Sequence, residues 1–418
     1  MKKKICLVTN WYPTEENPVQ GCFFKEQAFV VENEFDFIIF RYQEKIKKNP
    51  IKKDCVFISN IEKNTIEYNA VAYIPLSVYI CDMIYNIKIK LCGKNIEGIG
   101  KYASPKRKKL VKRKLIALFS KIDQNVDVFY CVDAQSEAYN LQCLAENFGK
   151  PYVVGEHAPV PWPGTLINDI NKYAIEKANL FLAISNDKIR QILLQNIKIS
   201  HVFYIGNLVN ENNMIYIPKD IDHVRTFIIV AAHSFYKNYS LFIRVMNILT
   251  EATKVDFKVM IVGYGANKGY THNVEELENE IKNSKFADRT ELISEVPHKR
   301  MGEMYNRADA FVMTSIQEGQ PVSAMEAACC GLPIFSTKCG GIEDYVDDEM
   351  GRIYNIVDAE GMAYGLKNYL EGNITFNSAV IRKKAVDKFG TEAFTKNFTR
   401  AFNEVIDNVQ DKCNSCYL

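Results

Sequence analysis

No apolar stretch in this chain reaches the roughly 18 residues that a membrane-spanning helix needs. The opening Lys2-Lys3-Lys4 mimics the start of a secretory leader, but the apolar run Ile5 to Val8 is too short, and Asn10-Trp11-Tyr12-Pro13 ends it. Ile5–Thr9 reads instead as a first buried strand. Charge excess is missing too: a net +2 over 418 residues excludes strong global attraction to nucleic acid and leaves room only for local basic sites. The twelve cysteines are scattered, with Cys329 and Cys330 adjacent, and form no compact framework of the secreted type. A reducing, cytoplasmic setting with mostly buried thiols is therefore expected. Cys413 and Cys416 have metal-like or redox-like spacing but lack the second pair that a structural zinc site uses.

What is present is a soluble, globular composition, 47% hydrophobic and 24% charged, on a chain long enough for two domains. Apolar strand-like runs alternate with amphipathic helical stretches from Ile5 to Tyr204. The polar strip Glu211 to Arg225 interrupts the pattern, and it starts afresh at Thr226. Two rounds of alternation predict two parallel-sheet, Rossmann-like α/β domains with ligands in the cleft between them. The expected boundaries are 1–215 and 216–390. Ala379 to about Asp411 reads as almost continuously helical, and its last part, about 391–412, is expected to return to the first domain.

The most informative stretch is 311–346. Phe311 to Thr314 suits a buried strand, Gly319 and Pro321 punctuate the chain, and Val322 to Cys330 is rich in helix formers. Gly331 and Pro333 end that helix, and Leu332 to Ser336 is the next strand. Backbone amides at 319–323 face outward at such a helix mouth, which suits a phosphate. Glu318 stands beside it, Glu326 about two turns further on, and carboxylates there suit hydroxyls. A second unusual stretch is 101–121, with Lys101, Lys106, Arg107, Lys108, Lys109, Lys112, Arg113, Lys114 and Lys121 and no acidic residue. A helix from about Pro105 would carry Leu110, Val111, Leu115, Leu118 and Phe119 as one stripe. It is either a basic amphipathic helix for an anionic membrane surface or a solvated face on a core-packing helix.

Taken in order, Glu318 to Ala327, Gly331-Leu332-Pro333 and Gly340-Gly341 resemble the retaining glycosyltransferases of family 4. Pro13 with Gly21, Glu156-His157, Ala183-Ile184-Ser185, Lys237-Asn238, Ile261 to Gly265 and Ala308 to Phe311 extend the resemblance over about residues 4 to 410. It implies the GT-B fold and a donor that is a nucleotide diphosphate sugar, UDP- or GDP-linked, held mainly by the C-terminal domain. By the same resemblance, Glu318 faces the donor sugar, Glu326 binds the ribose hydroxyls, and the backbone of Gly319, Gln320, Pro321, Val322 and Ser323 meets sugar and phosphate. Lys237 and the Gly263 loop belong to the donor site. Gly21 lies beside the diphosphate and His157 near the donor sugar. No cofactor or metal is implied; a lysine, a helix N-terminus and close amides stabilise the departing diphosphate. An Asp-x-Asp in a strand context is missing, and the fold does not require one.

One position departs from the family pattern. Where an arginine often stands five residues before the lysine, this chain has Ala232 followed by His233, neither a permanent cation. Either Arg225 or Lys338 compensates, or donor binding is weaker, or activity is lost. The expected function is glycosyl transfer to a glycan or lipid-linked acceptor in surface polysaccharide synthesis, with 101–121 as a possible contact to the inner membrane face and no nucleic-acid partner. The rival readings are a non-catalytic nucleotide-sugar-binding protein and a GT-B nucleotide-sugar epimerase.

Overall fold

The computed structural model describes residues 2–15, 17, 20–49, 51–91, 103–123, 125–157, 167–219, 223–266 and 274–415. They fall into two compact units, Met1–Ile205 with Thr395–Leu418, and Gly206–Phe394.

The first unit runs β1 (Lys3–Val8), α1 (Cys22–Val30), β2 (Phe35–Lys47), β3 (Cys55–Glu62), β4 (Thr65–Pro75), α2 (Leu76–Leu91), α3 (Pro105–Phe119) and β5 (Val128–Cys131). It continues with α4 (Ala134–Phe148), β6 (Tyr152–Glu156), α5 (Asp169–Glu176), β7 (Leu180–Ala183), α6 (Asn186–Leu194) and β8 (Val202–Tyr204). Among the described residues the sheet order is β3-β4-β2-β1-β5-β6-β7-β8, parallel except where β3 meets β4. β5, β6 and β7 are buried along their whole length, as strands covered on both faces are. Ser104, Asp133, Asn168 and Ser185 each cap a helix by accepting a first-turn amide.

β3 is exposed along nearly its whole length, and the outer half of β2 carries Arg41, Glu44, Lys45 and Lys47, so neither shows as a buried strand in the sequence pattern. Arg41 on β2 is buried nonetheless. It pairs with Glu67 of β4 at 3.0 Å, lies over the Tyr12 ring and donates to the Pro13 carbonyl. That ion pair anchors the loop after β1.

The second unit runs β9 (Arg225–Val230), α7 (Tyr239–Ala252), β10 (Phe257–Val262), α8 (Val274–Lys282), β11 (Thr290–Ile293), α9 (Met301–Asn306) and β12 (Ala310–Met313). Then come α10 (Val322–Cys329), β13 (Ile334–Thr337), β14 (Gly351–Tyr354), α11 (Ala359–Leu370) and α12 (Ser378–Phe389). The strands are parallel in the order β11-β10-β9-β12-β13-β14. β14 lies in Met350–Val357, a stretch whose sequence pattern reads as a linker. It begins at a glycine because a Cβ at Gly351 would lie 2.0 Å from the Ile334 carbonyl oxygen.

The closing helical stretch is two helices broken at Gly390, α12 and α13 (Thr391–Ser415). In the first unit, Phe398 of α13 stacks on Phe402, and both rings meet Phe35 and Tyr130 edge-on. In each sheet the chain leaves a central strand first to one side and then to the other. The crossover falls between β1 and β5 in the first unit and between β9 and β12 in the second. Ligands of open α/β sheets bind outside the carboxyl ends of the strands at such points.

Candidate functional site

In the second unit the switch point gathers Lys237, Glu318 and Glu326. Lys237 follows β9 in a single 3-10 turn, Phe235–Lys237. Asn238 then takes a left-handed conformation (φ 50°) and accepts from the Leu241 amide, so one residue both ends the turn and caps α7. The turn is fixed to the loop after β12: the Ile316 amide donates to the Tyr236 carbonyl at 2.7 Å, and Thr314 Oγ1 to the Lys237 carbonyl at 3.1 Å. Lys237 Nζ thereby reaches Glu318 Oε1 at 2.6 Å. The Glu318 side chain is 12% exposed and that of Lys237 30%, so the pair sits at a wet mouth and not in the core.

The backbone around Glu318 is held from behind. Its amide donates to the Cys339 carbonyl at 2.7 Å. Gly341 has φ +67°, and a Cβ there would lie 2.2 Å from the Gly319 carbonyl oxygen, so only glycine lets the two loops approach this closely. Gln320 is buried, and its side chain is already employed: Oε1 accepts from the Asn207 amide at 2.6 Å, while Asn207 Nδ2 donates to the Gln320 carbonyl. Pro321 is the N-cap of α10, and the first intrahelical bond runs from the Met325 amide to the Pro321 carbonyl. The amides of Val322, Ser323 and Ala324 precede that bond and carry the helix's positive end.

Glu326 lies on α10, buried. His298 Nε2 lies 2.7 Å from its Oε1, and the Tyr305 hydroxyl donates to its Oε2 at 2.8 Å. Burial, reinforced by the Glu326 charge, pushes the Tyr305 pKa well up, so the hydroxyl remains a donor. Sequence reading missed both partners. His298 is 28 positions from Glu326, and no local spacing links them. Gly263 ends β10 with φ +77° and donates its amide to the Ile293 carbonyl.

In the first unit, Gly21 and His157 come together through α1. Gly21 is its N-cap at φ +65°, and a Cβ would lie 2.5 Å from the Trp11 carbonyl oxygen. Three residues on, the Phe24 ring meets His157 edge-on at 4.8 Å. His157 directly follows β6, at the carboxyl edge of the sheet.

Of the two cations considered for the gap at Ala232, Arg225 is at the wrong end. It opens β9, lies over the Tyr369 ring at 4.3 Å and donates to the Tyr369 carbonyl, a strand's length from Lys237. Lys338 directly follows β13 and is exposed at the carboxyl edge, the same edge as Glu318.

The two parallel-sheet units give the chain the GT-B fold. The lipopolysaccharide outer core galactosyltransferase WaaB has the same fold (TM-score 0.67, 16% identity, 96% of this chain and 99% of that one). So does Anabaena Alr3699/HepE in complex with UDP (TM-score 0.63, 12% identity, 96% and 100%). The family described as "Glycosyl transferases group 1" is matched over residues 218–386. The chain is similar to a phosphatidylinositol N-acetylglucosaminyltransferase subunit of Arabidopsis thaliana, 22% identical over 188 residues, which is 44% of this chain and 40% of that protein. The chain thus spans well under two thirds of the length of that relative.

Proposed function

We propose that the protein is a retaining glycosyltransferase, transferring a sugar from a UDP- or GDP-linked donor to a glycan or lipid-linked acceptor in surface polysaccharide synthesis. The observation that carries this reading is the Lys237–Glu318 pair at the mouth of α10, with Glu326 on the same helix. The comparisons support it. The matched family is one of glycosyl transferases, WaaB is a lipopolysaccharide galactosyltransferase, HepE is a UDP complex, and the Arabidopsis relative bears the name of an N-acetylglucosaminyltransferase of phosphatidylinositol.

In this reading the diphosphate lies against the amides of Val322 to Ala324 and the Lys237 ammonium, which stabilise the charge that grows on it as the glycosidic bond breaks. Glu318 stabilises the oxocarbenium-like anomeric centre, as carboxylates do in glycosidases. Because Lys237 also contacts Glu318, the cation couples the two charges of the transition state. Glu326, oriented by His298 and Tyr305, takes the ribose hydroxyls. The donor phosphate accepts the acceptor proton, leaving no need for a separate base, and retention follows. By the family resemblance Gly21 and His157 of the first unit are also donor contacts, and this reading requires no metal.

Ala232 favours the second reading, a protein that binds nucleotide sugars without turning them over, since the family's second cation is missing there. A panel of nucleotide sugars separates the readings. Stabilisation of the fold by one donor, followed by an α-linked product from an α-donor, supports retaining transfer. Stabilisation without product across an acceptor panel supports binding alone, and no stabilisation by any nucleotide sugar removes both.

A further inference from the structure

Helix α2 packs Val78 and Tyr79 on the core of the first unit but carries a second apolar face. At its exposed positions stand Leu76, Ile80, Met83, Ile84 and Ile87, each 45–58% exposed, with only Ser77 and Lys88 as polar company. Their spacing (76, 80, 83/84, 87) is one continuous face of a helix. The opposite face is anchored by a carboxylate. Asp82 is 5% exposed, its Oδ1 accepts the Ser104 amide at 2.8 Å, and its Oδ2 receives Arg107 at 2.9 Å. That polar anchor fixes the rotation of α2, so the apolar face is held outward by a specific contact and not by default. Isolated exposed apolar side chains need no explanation, but a contiguous stripe marks an interaction surface.

The neighbouring helix says what covers it. α3 packs beside α2 through the same Asp82–Arg107 pair and the Arg107–Tyr79 contact at 4.7 Å. Of its basic residues, Lys108 is half-buried and Lys112 pairs with Glu146, and the rest divide into two sets. Arg107 and Lys114 are turned in and paired, with Asp82 and Glu44 and with Asp54, so they are not available to a partner as the sequence alone suggested. Lys106, Lys109 and Arg113 are exposed. Lys106 Nζ lies 3.9 Å from Cys81 Sγ, at the edge of the apolar stripe. An apolar helix face flanked by lysines and an arginine is complementary to an anionic lipid surface, with acyl chains for the stripe and headgroup phosphates for the cations. A span is not in question: α2 has 16 residues, and no helix among the described residues is long and apolar enough to cross a membrane.

We propose that the exposed face of α2, with Lys106, Lys109 and Arg113 of α3, is a docking surface for the interface of an anionic bilayer, on which α2 lies flat. The surface is independent of the proposed glycosyl transfer, and its test does not use activity. The full chain is sedimented with phosphatidylcholine vesicles with and without phosphatidylglycerol. Binding is expected with the anionic vesicles, and replacing Ile80, Ile84 and Ile87 together by serine lowers the partition about tenfold or more. Replacing Lys106, Lys109 and Arg113 by glutamine lowers it about fivefold per charge removed. Unfolding midpoints report whether these surface variants keep the fold. Ile84→Trp, which keeps the face apolar, is expected to blue-shift its added emission on vesicles and to be quenched by brominated acyl chains. Undiminished binding by the serine variant, or an Ile84→Trp signal blind to bromolipid, overturns the proposal. So does a chain that ignores vesicles and instead dimerises through this face, with dimerisation lost in the serine variant.

Discussion

Two helices, one in each unit, place their apolar side chains differently. In the second, α10 buries Ala324 through Cys329 and presents its amino end, with Glu318 and Lys237, at the carboxyl edge of the sheet. In the first, α2 buries Val78 and Asp82 and shows Ile80, Ile84 and Ile87 to solvent. Glu137 on α4 is likewise buried, and so is Lys188 on α6. Burial pushes the Glu137 pKa up to about 7, against the lowering effect of the amide donors of Asn140 and Asn10, and it brings Lys188 down to about 8, with Glu156 opposing. The difference teaches that hydrophobic pattern locates a helix in either unit, but only a specific partner decides which face turns inward.

The contrast can be broken most sharply at the helix mouth. Lys237→Ala removes the cation opposite Glu318, and turnover is expected to fall about 10²–10³-fold, as for loss of one charge-stabilising donor. Product formation from the donor that the nucleotide-sugar panel selects measures it, and turnover within a factor of about two of the parent would remove Lys237 from the chemistry.

Glu137 probes the first unit. Its folded pKa lies above the unfolded value of 4.5, so between these values the folded state binds more protons than the unfolded one. Stability therefore falls as pH rises from about 4.5 to about 7, by up to about 3 kcal/mol. Urea unfolding across that window shows the slope, and Glu137→Gln is expected to flatten it. An unchanged slope in that variant would assign the pH dependence elsewhere.

Gly341→Ala tests the close loop approach in the second unit. A side chain at φ +67° that also meets the Gly319 carbonyl is expected to cost about 1–3 kcal/mol, read as a lower melting temperature. Asp82→Ala is the smallest effect, about 1–2 kcal/mol for a largely buried cluster that loses one carboxylate, since Arg107 keeps Glu44. Its sharper readout is protease sensitivity confined to α2, which a globally loosened fold would not show.

Much of this was legible from the chain alone. The alternation of buried strands and helices, the helix mouth at Pro321 and the order of motifs from Lys237 to Gly341 are local patterns, and local patterns survive folding. β14 was not legible, because four residues opening on a glycine look like a loop until Ile334 is laid beside them. Arg225 could not be separated from Lys338 as a partner for Lys237, because which end of a strand faces a ligand depends on where the strand sits in the sheet.

The sequence by itself determined that there are two parallel-sheet units and that residues 318–326 form a strand-to-helix mouth with carboxylates at both ends, since periodicity, caps and glycine placement are set by near neighbours. Only the tertiary structure decided that Lys237 meets Glu318 across 81 positions, that His298 and Tyr305 hold Glu326, and that one apolar face of α2 turns outward. Each of those depends on polar contacts between residues well separated in the chain, and such contacts leave no period in it.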